Sequence, residues 1–309
     1  MNRGIHAVTT TDRKTVAIVG AGRLGAAFGR LLALAGYRVV AVTARTQKSA
    51  AAAARFIGSG KPMADVVQAA SSAATIFITT PDRDIRAVCE RIATGGGLRP
   101  GSLVAHASGA QTRDLLDAAR EAGALRAVIH PLQSVPSREQ GVVNVPGSYF
   151  RIEADPGALR RVRAMVRALG GSELALPRWR SDSESAALYH AGAVAASNYL
   201  VTLLDFAVRH LQALGADRRQ GLQALLPLVR GTLANIERLG IPRALTGPIA
   251  RGDAQTIAGH LAALQSRAPE LLELYRPLAR ETVPLALEQG GLTAQAAEEL
   301  LRIVRRDPE

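Results

Sequence analysis

The chain has 309 residues, which favours two domains of about 100–200 residues each. Hydrophobic residues at 48% and charged residues at 21% exclude a globally disordered chain, and a single cysteine excludes an intramolecular disulfide framework or a Cys-rich zinc module. The 38 basic and 26 acidic residues leave a formal charge of +12, yet only Lys14, Lys48 and Lys61 are lysines. The arginines are scattered along helical segments, as in Arg160, Arg161, Arg163 and Arg167, and aromatics make up 4%. A nucleic-acid groove needs clustered cations interleaved with stacking rings, so no nucleic-acid partner is expected. The apolar runs read as too short, or too interrupted by Arg and Gly, to span a membrane. The opening MNRGIHAVTTTDRK lacks the apolar centre of a signal peptide, and a cytoplasmic protein with no membrane partner is expected.

Residues 1–13 read as a frayed tail. Thr15–Val19 is a buried strand, followed at once by Gly20-Ala21-Gly22-Arg23-Leu24-Gly25 and a helix over Ala26–Ala35 that ends at Gly36. Tyr37–Thr43 is a second strand and Thr46–Phe56 an Ala-rich helix. Thr75–Thr79 is a strand closed by Pro81, and Asp82–Ile92 a helix. Ser102–His106 and Leu125–His130 are strands on either side of a helix over Gln111–Glu121. Strands alternating with helices imply a parallel sheet covered on both faces. Pro131–Gly147 reads as a long loop. Tyr149–Glu153 and Glu173–Leu176 are short strands around a helix over Pro156–Leu169, extending the same sheet. After Trp179 the periodicity is helical: Ser183–Leu214, Arg218–Leu239, Asp253–Ser266, Pro269–Gln289 and Thr293–Arg305. The expected fold is an α/β Rossmann domain, doubly wound and mostly parallel, over residues 14–178. An all-α C-terminal domain follows over 179–309.

A G-x-G-x-x-G between a buried strand and a helix carries meaning that the bare pattern lacks. Gly20 permits the tight turn, Gly22 lets backbone approach a pyrophosphate, and Gly25 allows close helix–strand packing. The helix start, with Arg23 and Leu24, offers free N–H groups and a positive dipole end. About twenty residues on, an NAD site offers a carboxylate for the ribose hydroxyls. This chain has Thr43-Ala44-Arg45-Thr46-Gln47-Lys48 instead. Arg45 suits a 2′-phosphate, helped by Thr43, Thr46 or Lys48, so NADP(H) is the expected cofactor.

Ligands of open α/β sheets meet the carboxyl ends of the strands. Three such ends are polar: Thr79-Thr80-Pro81, His106-Ala107-Ser108-Gly109 and His130-Pro131-Leu132-Gln133. Thr79, Thr80, Pro81, His106 and Ser108 are expected to line the cofactor, and His130 and Gln133 the substrate. His106 and His130 have the titration range for proton transfer near neutrality, or else each caps its strand end. No carboxylate is spaced to complete a metal site with them. On the long helix, His190, Val194, Ser197, Asn198, Val201 and Asp205 share one arc, with His190 and Asn198 roughly 12 Å apart along the axis. His190, Asn198 and His106 are the candidate catalytic residues. Thr246-Gly247-Pro248 through Arg251-Gly252-Asp253 is a second constellation. Thr246 and Arg251 face substrate in this reading, and Asp253 caps the next helix.

The order of a Rossmann domain, extra strands and a helical domain entered by a long helix resembles the 6-phosphogluconate dehydrogenase-like superfamily. His106-Ala107-Ser108-Gly109, His130-Pro131-Leu132-Gln133, Tyr189-His190-Ala191 through Ser197-Asn198-Tyr199, and Thr246 to Asp253 are similar to a group of provisionally named bacterial NADP oxidoreductases without an assigned substrate. His130-Pro131 is also similar to the histidine-proline loop of prephenate dehydrogenases. The resemblance implies hydride transfer with NADP(H), a small-molecule substrate between the two domains, Tyr189 near that substrate, and a homodimer built on the helical domain. One departure stands out. The hydroxyacid dehydrogenases of this group use a lysine three residues before a histidine in the long helix. Here that position is Ala187, and no lysine follows Lys61. A moving proton must then use His190, His106, Tyr189 or water. A C=N substrate, already basic, needs that help less than a C=O substrate. The alternative is a non-catalytic NADP-binding sensor or partner protein.

Overall fold

The computed structural model describes residues 14–305; the tail expected over 1–13 lies outside the described residues. Eight strands form one sheet: β1 (Thr15–Val19), β2 (Arg38–Thr43), β3 (Lys61–Met63), β4 (Thr75–Ile78), β5 (Leu103–His106), β6 (Leu125–Pro131), β7 (Tyr149–Ala154) and β8 (Ser172–Glu173). Their spatial order is β3-β2-β1-β4-β5-β6-β7-β8. All pairings are parallel except β6 with β7. This is the doubly wound arrangement expected, and the winding reverses between β1 and β4. Crevices that bind ligands open at that reversal, beyond the carboxyl ends of the strands.

The central strands are buried along their length because helices cover both faces. Among these helices, α1 (Arg23–Leu34), α2 (Gln47–Ile57), α3 (Val66–Ser71), α4 (Asp82–Thr94) and α5 (Asp117–Glu121) precede β6. Phe28 of α1 meets Phe77 of β4 edge-on, with ring centroids 5.7 Å apart. Such a pair adds about 1 kcal/mol beyond its burial.

Two segments depart from expectation. Residues 61–71 form β3 and α3, both too short for periodicity to reveal. The loop expected over Pro131–Gly147 contains α6 (Arg138–Asn144), packed on α1. An added Cβ at Gly141 would lie 2.7 Å from the Ala27 Cβ, so the two helices approach closely at that glycine. Its signal was present: Ser137 caps the helix by accepting the Gln140 N–H at 3.1 Å, a Ser-x-x-Gln start.

After β7, a 3-10 turn leads into α7 (Leu159–Ala168), and β8 closes the sheet. Among the described residues, everything beyond β8 is helix or loop: α8 (Ser183–Gln212), α9 (Arg218–Leu239), α10 (Ala254–Arg267), α11 (Leu272–Gln289) and α12 (Ala294–Arg305). Ile257, Leu261, Leu264, Val283, Ala286 and Leu300 form the centre of this helical core. The chain divides into two compact units, one ending at Ser197 and the other starting at Asn198. This division falls inside α8, whose Tyr189 and His190 pack with the sheet unit.

By length and composition α8 could cross a membrane: an 18-residue window reaches a mean hydropathy of 1.4, and 11% of it is buried. The expectation that no segment meets this test is therefore corrected. Joined end to end, the apolar runs of α8 pass it despite the polar residues between them.

Candidate functional site

The glycine loop sits at the reversal point. Gly20 has φ +88°, a left-handed conformation that favours glycine. The N–H groups of Gly20 and Ala21 both donate to the Thr43 carbonyl, at 3.1 and 2.8 Å. Thr43 is buried and shapes this turn from the end of β2. A Cβ on Gly25 would fall 2.2 Å from Thr79 Oγ1, so only glycine lets α1 lie this close to β4. A Cβ on Gly22 would meet nothing nearer than 3.9 Å, so the backbone here faces open space. Gly22 starts α1 without a side-chain cap, and the first turn, with Arg23 and Leu24, holds no acidic residue. Its bare N–H groups and open cradle fit a pyrophosphate. Arg23 itself donates to the Pro136 carbonyl at 3.3 Å.

Arg45 is exposed beyond the end of β2 and has no hydrogen bond or ion pair among the described residues. Thr46 caps α2 by accepting the Ser49 N–H at 3.1 Å, and the first turn of α2 also lacks acidic residues. Across the reversal, Thr79 donates its hydroxyl to the Gly20 carbonyl at 3.0 Å, bracing the loop. Thr80 Oγ1 is buried without a partner, and Pro81 is exposed at the start of α4.

At the β5 end, His106 and Ser108 both make hydrogen bonds within the protein. His106 is fully buried. Its Nε2 donates to the Thr112 carbonyl at 2.9 Å, while its Nδ1 accepts the Ser108 N–H at 3.1 Å. Burial pushes its pKa down to about 4 against the raising effect of the Thr112 bond. Both ring nitrogens bond to backbone, so His106 shapes this loop. Ser108 is likewise committed: its hydroxyl donates to Asp82 Oδ2 at 2.6 Å and tethers the loop to α4.

Gln133 also bonds locally. Its amide donates to the Asn144 carbonyl and accepts from the Ser134 N–H, at 3.1 and 2.8 Å, bracing its own loop.

His130, at the end of β6, behaves differently. Its Nδ1 shares a 2.9 Å hydrogen bond with the Tyr189 hydroxyl of α8. His190, the next residue, lies with its ring centroid 6.3 Å from that of His130, and its Nδ1 is buried without a hydrogen-bond partner. Gly109 explains how the rings converge. A Cβ there would stand 2.7 Å from His130 Nε2 and 2.8 Å from His190 Nδ1. Burial first, then the positive charge of Arg151, lowers the His130 pKa to about 3. Burial pushes the Tyr189 hydroxyl up to about 12, against the opposing pull of Arg151.

Arg151 is the residue that sequence reasoning missed. It lies opposite His130 in the β6–β7 pairing and is 1% exposed. Its Nη2 donates to the Ser108 and Gln111 carbonyls at 3.0 and 2.7 Å. Its guanidinium carbon lies 4.8 Å from the Trp179 ring centroid and 5.4 Å from that of Tyr189. The available signal was the alternation in β7: Arg151 and Glu153, two apart, share one face of a strand that is otherwise apolar.

The remaining expected site residues belong to the helical unit. Asn198 is exposed on α8, and its side chain makes no hydrogen bond among the described residues. Thr246 and Arg251 are exposed on either side of Gly247-Pro248, and Asp253 caps α10 by accepting the Thr256 N–H at 3.0 Å. No group of three His, Cys, Asp or Glu side chains that could hold a metal occurs among the described residues.

Comparison with known proteins adds to this geometry. A Rossmann-like domain matches residues 4–131, and a domain of unknown function, DUF2520, matches residues 148–282. A search of curated proteins finds no match. Among solved structures, a provisionally named NADP oxidoreductase from Bacteroides fragilis is 23% identical with a TM-score of 0.69. The match covers 89% of this chain and 100% of that one. A protein from Thermotoga maritima is 24% identical with a TM-score of 0.67, covering 88% of this chain and 99% of that one. A Plasmodium falciparum pyrroline carboxylate reductase with NADP bound is 13% identical with a TM-score of 0.52, covering 94% and 98%. At these identities the likeness is one of fold. A Rossmann-like model thus matches the first part of the chain and a DUF2520 model much of the remainder, and the solved structures share the fold.

Proposed function

We propose that the protein is an NADP(H)-dependent oxidoreductase that transfers hydride to or from a small C=O or C=N substrate. The observation that carries this reading is the uncapped, acid-free start of α1 behind the glycine loop, with unpaired Arg45 where an NAD site would hold a carboxylate. Gly20, Gly22, Gly25 and the α1 N–H groups would hold the pyrophosphate, and Arg45 with Thr46 the 2′-phosphate. Thr80, whose buried hydroxyl lacks a partner, would face the cofactor beside Pro81. When bound, NADP(H) supplies the hydride chemistry, and the protein orients it and manages the proton.

His190 is the residue assigned to that proton, because its Nδ1 is uncommitted. Tyr189, steadied by His130, stands beside it and orients the substrate. The fold is shared with a pyrroline carboxylate reductase, whose named substrate contains C=N, and this supports an imine-type substrate for a chain that lacks the helical lysine. The test is NADPH consumption across a panel of carbonyl and imine compounds. Turnover lost in His190→Ala but retained in His106→Gln supports the assignment; an entirely unreduced panel counts against it.

The missing lysine also favours a second reading, a non-catalytic NADP-binding sensor or partner protein. It predicts NADPH binding without turnover and indifference to His190→Ala.

We further propose a cytoplasmic homodimer formed through the helical domain. Tyr199, Val201, Leu214 and Leu228 are all more than 60% exposed, too large an apolar display for an isolated α8 and α9. Light scattering on the intact chain tests this; a monomer at micromolar concentration would refute it.

A further inference from the structure

The Arg151 guanidinium has no part in the proposed hydride transfer, yet Arg151 is the largest fully buried side chain among the described residues. A buried cation is costly unless its surroundings repay it, and here the repayment is incomplete. Two Nη2 hydrogen bonds reach the 108–111 loop, and Nη1 lies 3.7 Å from Glu153 Oε2, an ion pair rather than a hydrogen bond. Nε and Nη1 have no hydrogen-bond partner, and neither has Glu153 Oε2. Removing the ion pair in favour of apolar packing would be nearly neutral for stability by this logic. What the guanidinium does touch is the site: the loop carrying Gly109, the strand partner of His130, and the faces of Trp179 and Tyr189.

We propose that Arg151 is a positioning residue for this site, one guanidinium holding the 108–111 loop, His130 and the Tyr189 ring in a single arrangement from behind. Its place in a reaction rests on the hydride-transfer reading above; its geometry does not. Two consequences follow. The loop carbonyls bound to Nη2 fix Gly109, against which the His130 and His190 imidazoles converge. The positive charge opposes protonation of His130, keeping that ring neutral and able to share a hydrogen bond with Tyr189. The charged and titratable groups facing this assembly are Glu153 on β7 with Arg113 beside it, His106 on β5, Asp82 on α4 through Ser108, and Tyr189 and His190 on α8. Asp82 is tied to Ser108 and Glu153 to the two arginines, which leaves Arg151 as the dominant charge on His130.

The experiment is a histidine-labelled NMR titration of the full-length protein, needing neither substrate nor cofactor. It compares native protein with Arg151→Met, Arg151→Lys and the double variant Arg151→Met/Glu153→Gln. The double variant leaves no buried charge unpaired and so protects against failure to fold. His130 is expected to stay neutral through pH 5 in the native protein. Its pKa should rise by about one unit or more in both Met variants and return in Arg151→Lys. A folded Met variant with the native His130 titration, or a native His130 that titrates near its ordinary value, would overturn the proposal. NADPH binding, measured in parallel, should stay within about twofold of native in every variant, since Arg151 lies away from the glycine loop. Loss of NADPH binding by native protein would overturn the hydride-transfer reading while leaving the His130 result intact.

Discussion

The imidazole of His130 and the hydroxyl of Tyr189 share a 2.9 Å hydrogen bond across 59 residues of sequence. One partner ends a strand of the parallel sheet, and the other stands in the first half of α8. That bond, with His190 packed beside it, holds the first turns of α8 at the carboxyl edge of the sheet, where open α/β sheets meet ligands.

Tyr189→Phe removes this bond while keeping the ring under Arg151. Stability should fall by about 1 kcal/mol, the usual net worth of one hydrogen bond, measured by urea denaturation. NADPH affinity should be unchanged. The rate with any reducible substrate should fall roughly 100-fold, the scale of a misoriented substrate. A variant at full rate would remove Tyr189 from the site.

Gly109→Ala introduces a Cβ 2.7 Å from one imidazole nitrogen and 2.8 Å from another. Both rings sit on rigid elements, so overpacking should cost about 1–3 kcal/mol and separate His130 from His190. Thermal denaturation and turnover should both fall, while NADPH binding should hold. An alanine variant as stable and active as native would mean that the two rings do not need to converge.

The acid limb of stability should belong to the buried neutral histidines. The pKa of His106 is near 4 when folded and about 6.5 when unfolded, so the unfolded chain binds more protons between these values. Stability is therefore fully present above pH 6.5 and is lost as pH falls toward 4. The loss between pH 7 and 5 is about 2 kcal/mol from this residue. Urea denaturation of His106→Gln should show a shallower acid limb. An equally steep limb would show that other groups carry it.

Much of this was legible in the sequence, and the rest was hidden for definite reasons. The glycine loop declared itself because its residue types follow from backbone needs: φ +88° at Gly20 and the contact at Gly25 admit little else. The strand-end histidines were visible as residues, but their roles were not. Nothing in His-Ala-Ser-Gly says that His106 spends both nitrogens on its own loop, whereas His130 reaches a tyrosine on α8. The local bonds of Gln133 were hidden because side-chain bonds back to a loop leave no periodic trace. Arg151 escaped notice because one arginine among 38 basic residues is inconspicuous until the antiparallel pairing of β7 sets it opposite His130. The α6 helix was obscured by the proline and glycine residues around it, although its Ser137 cap was in view.

The proposed function rests on a phosphorylated dinucleotide docking on the start of α1 with Arg45 at its 2′-phosphate. Calorimetric titration with NADPH and NADH in parallel, on native protein and Arg45→Ala, tests it most directly. NADPH should bind about tenfold or more tightly than NADH, and the substitution should erase most of that difference by removing one charge-assisted contact. No heat from either nucleotide, or equal affinities indifferent to Arg45, would contradict the account.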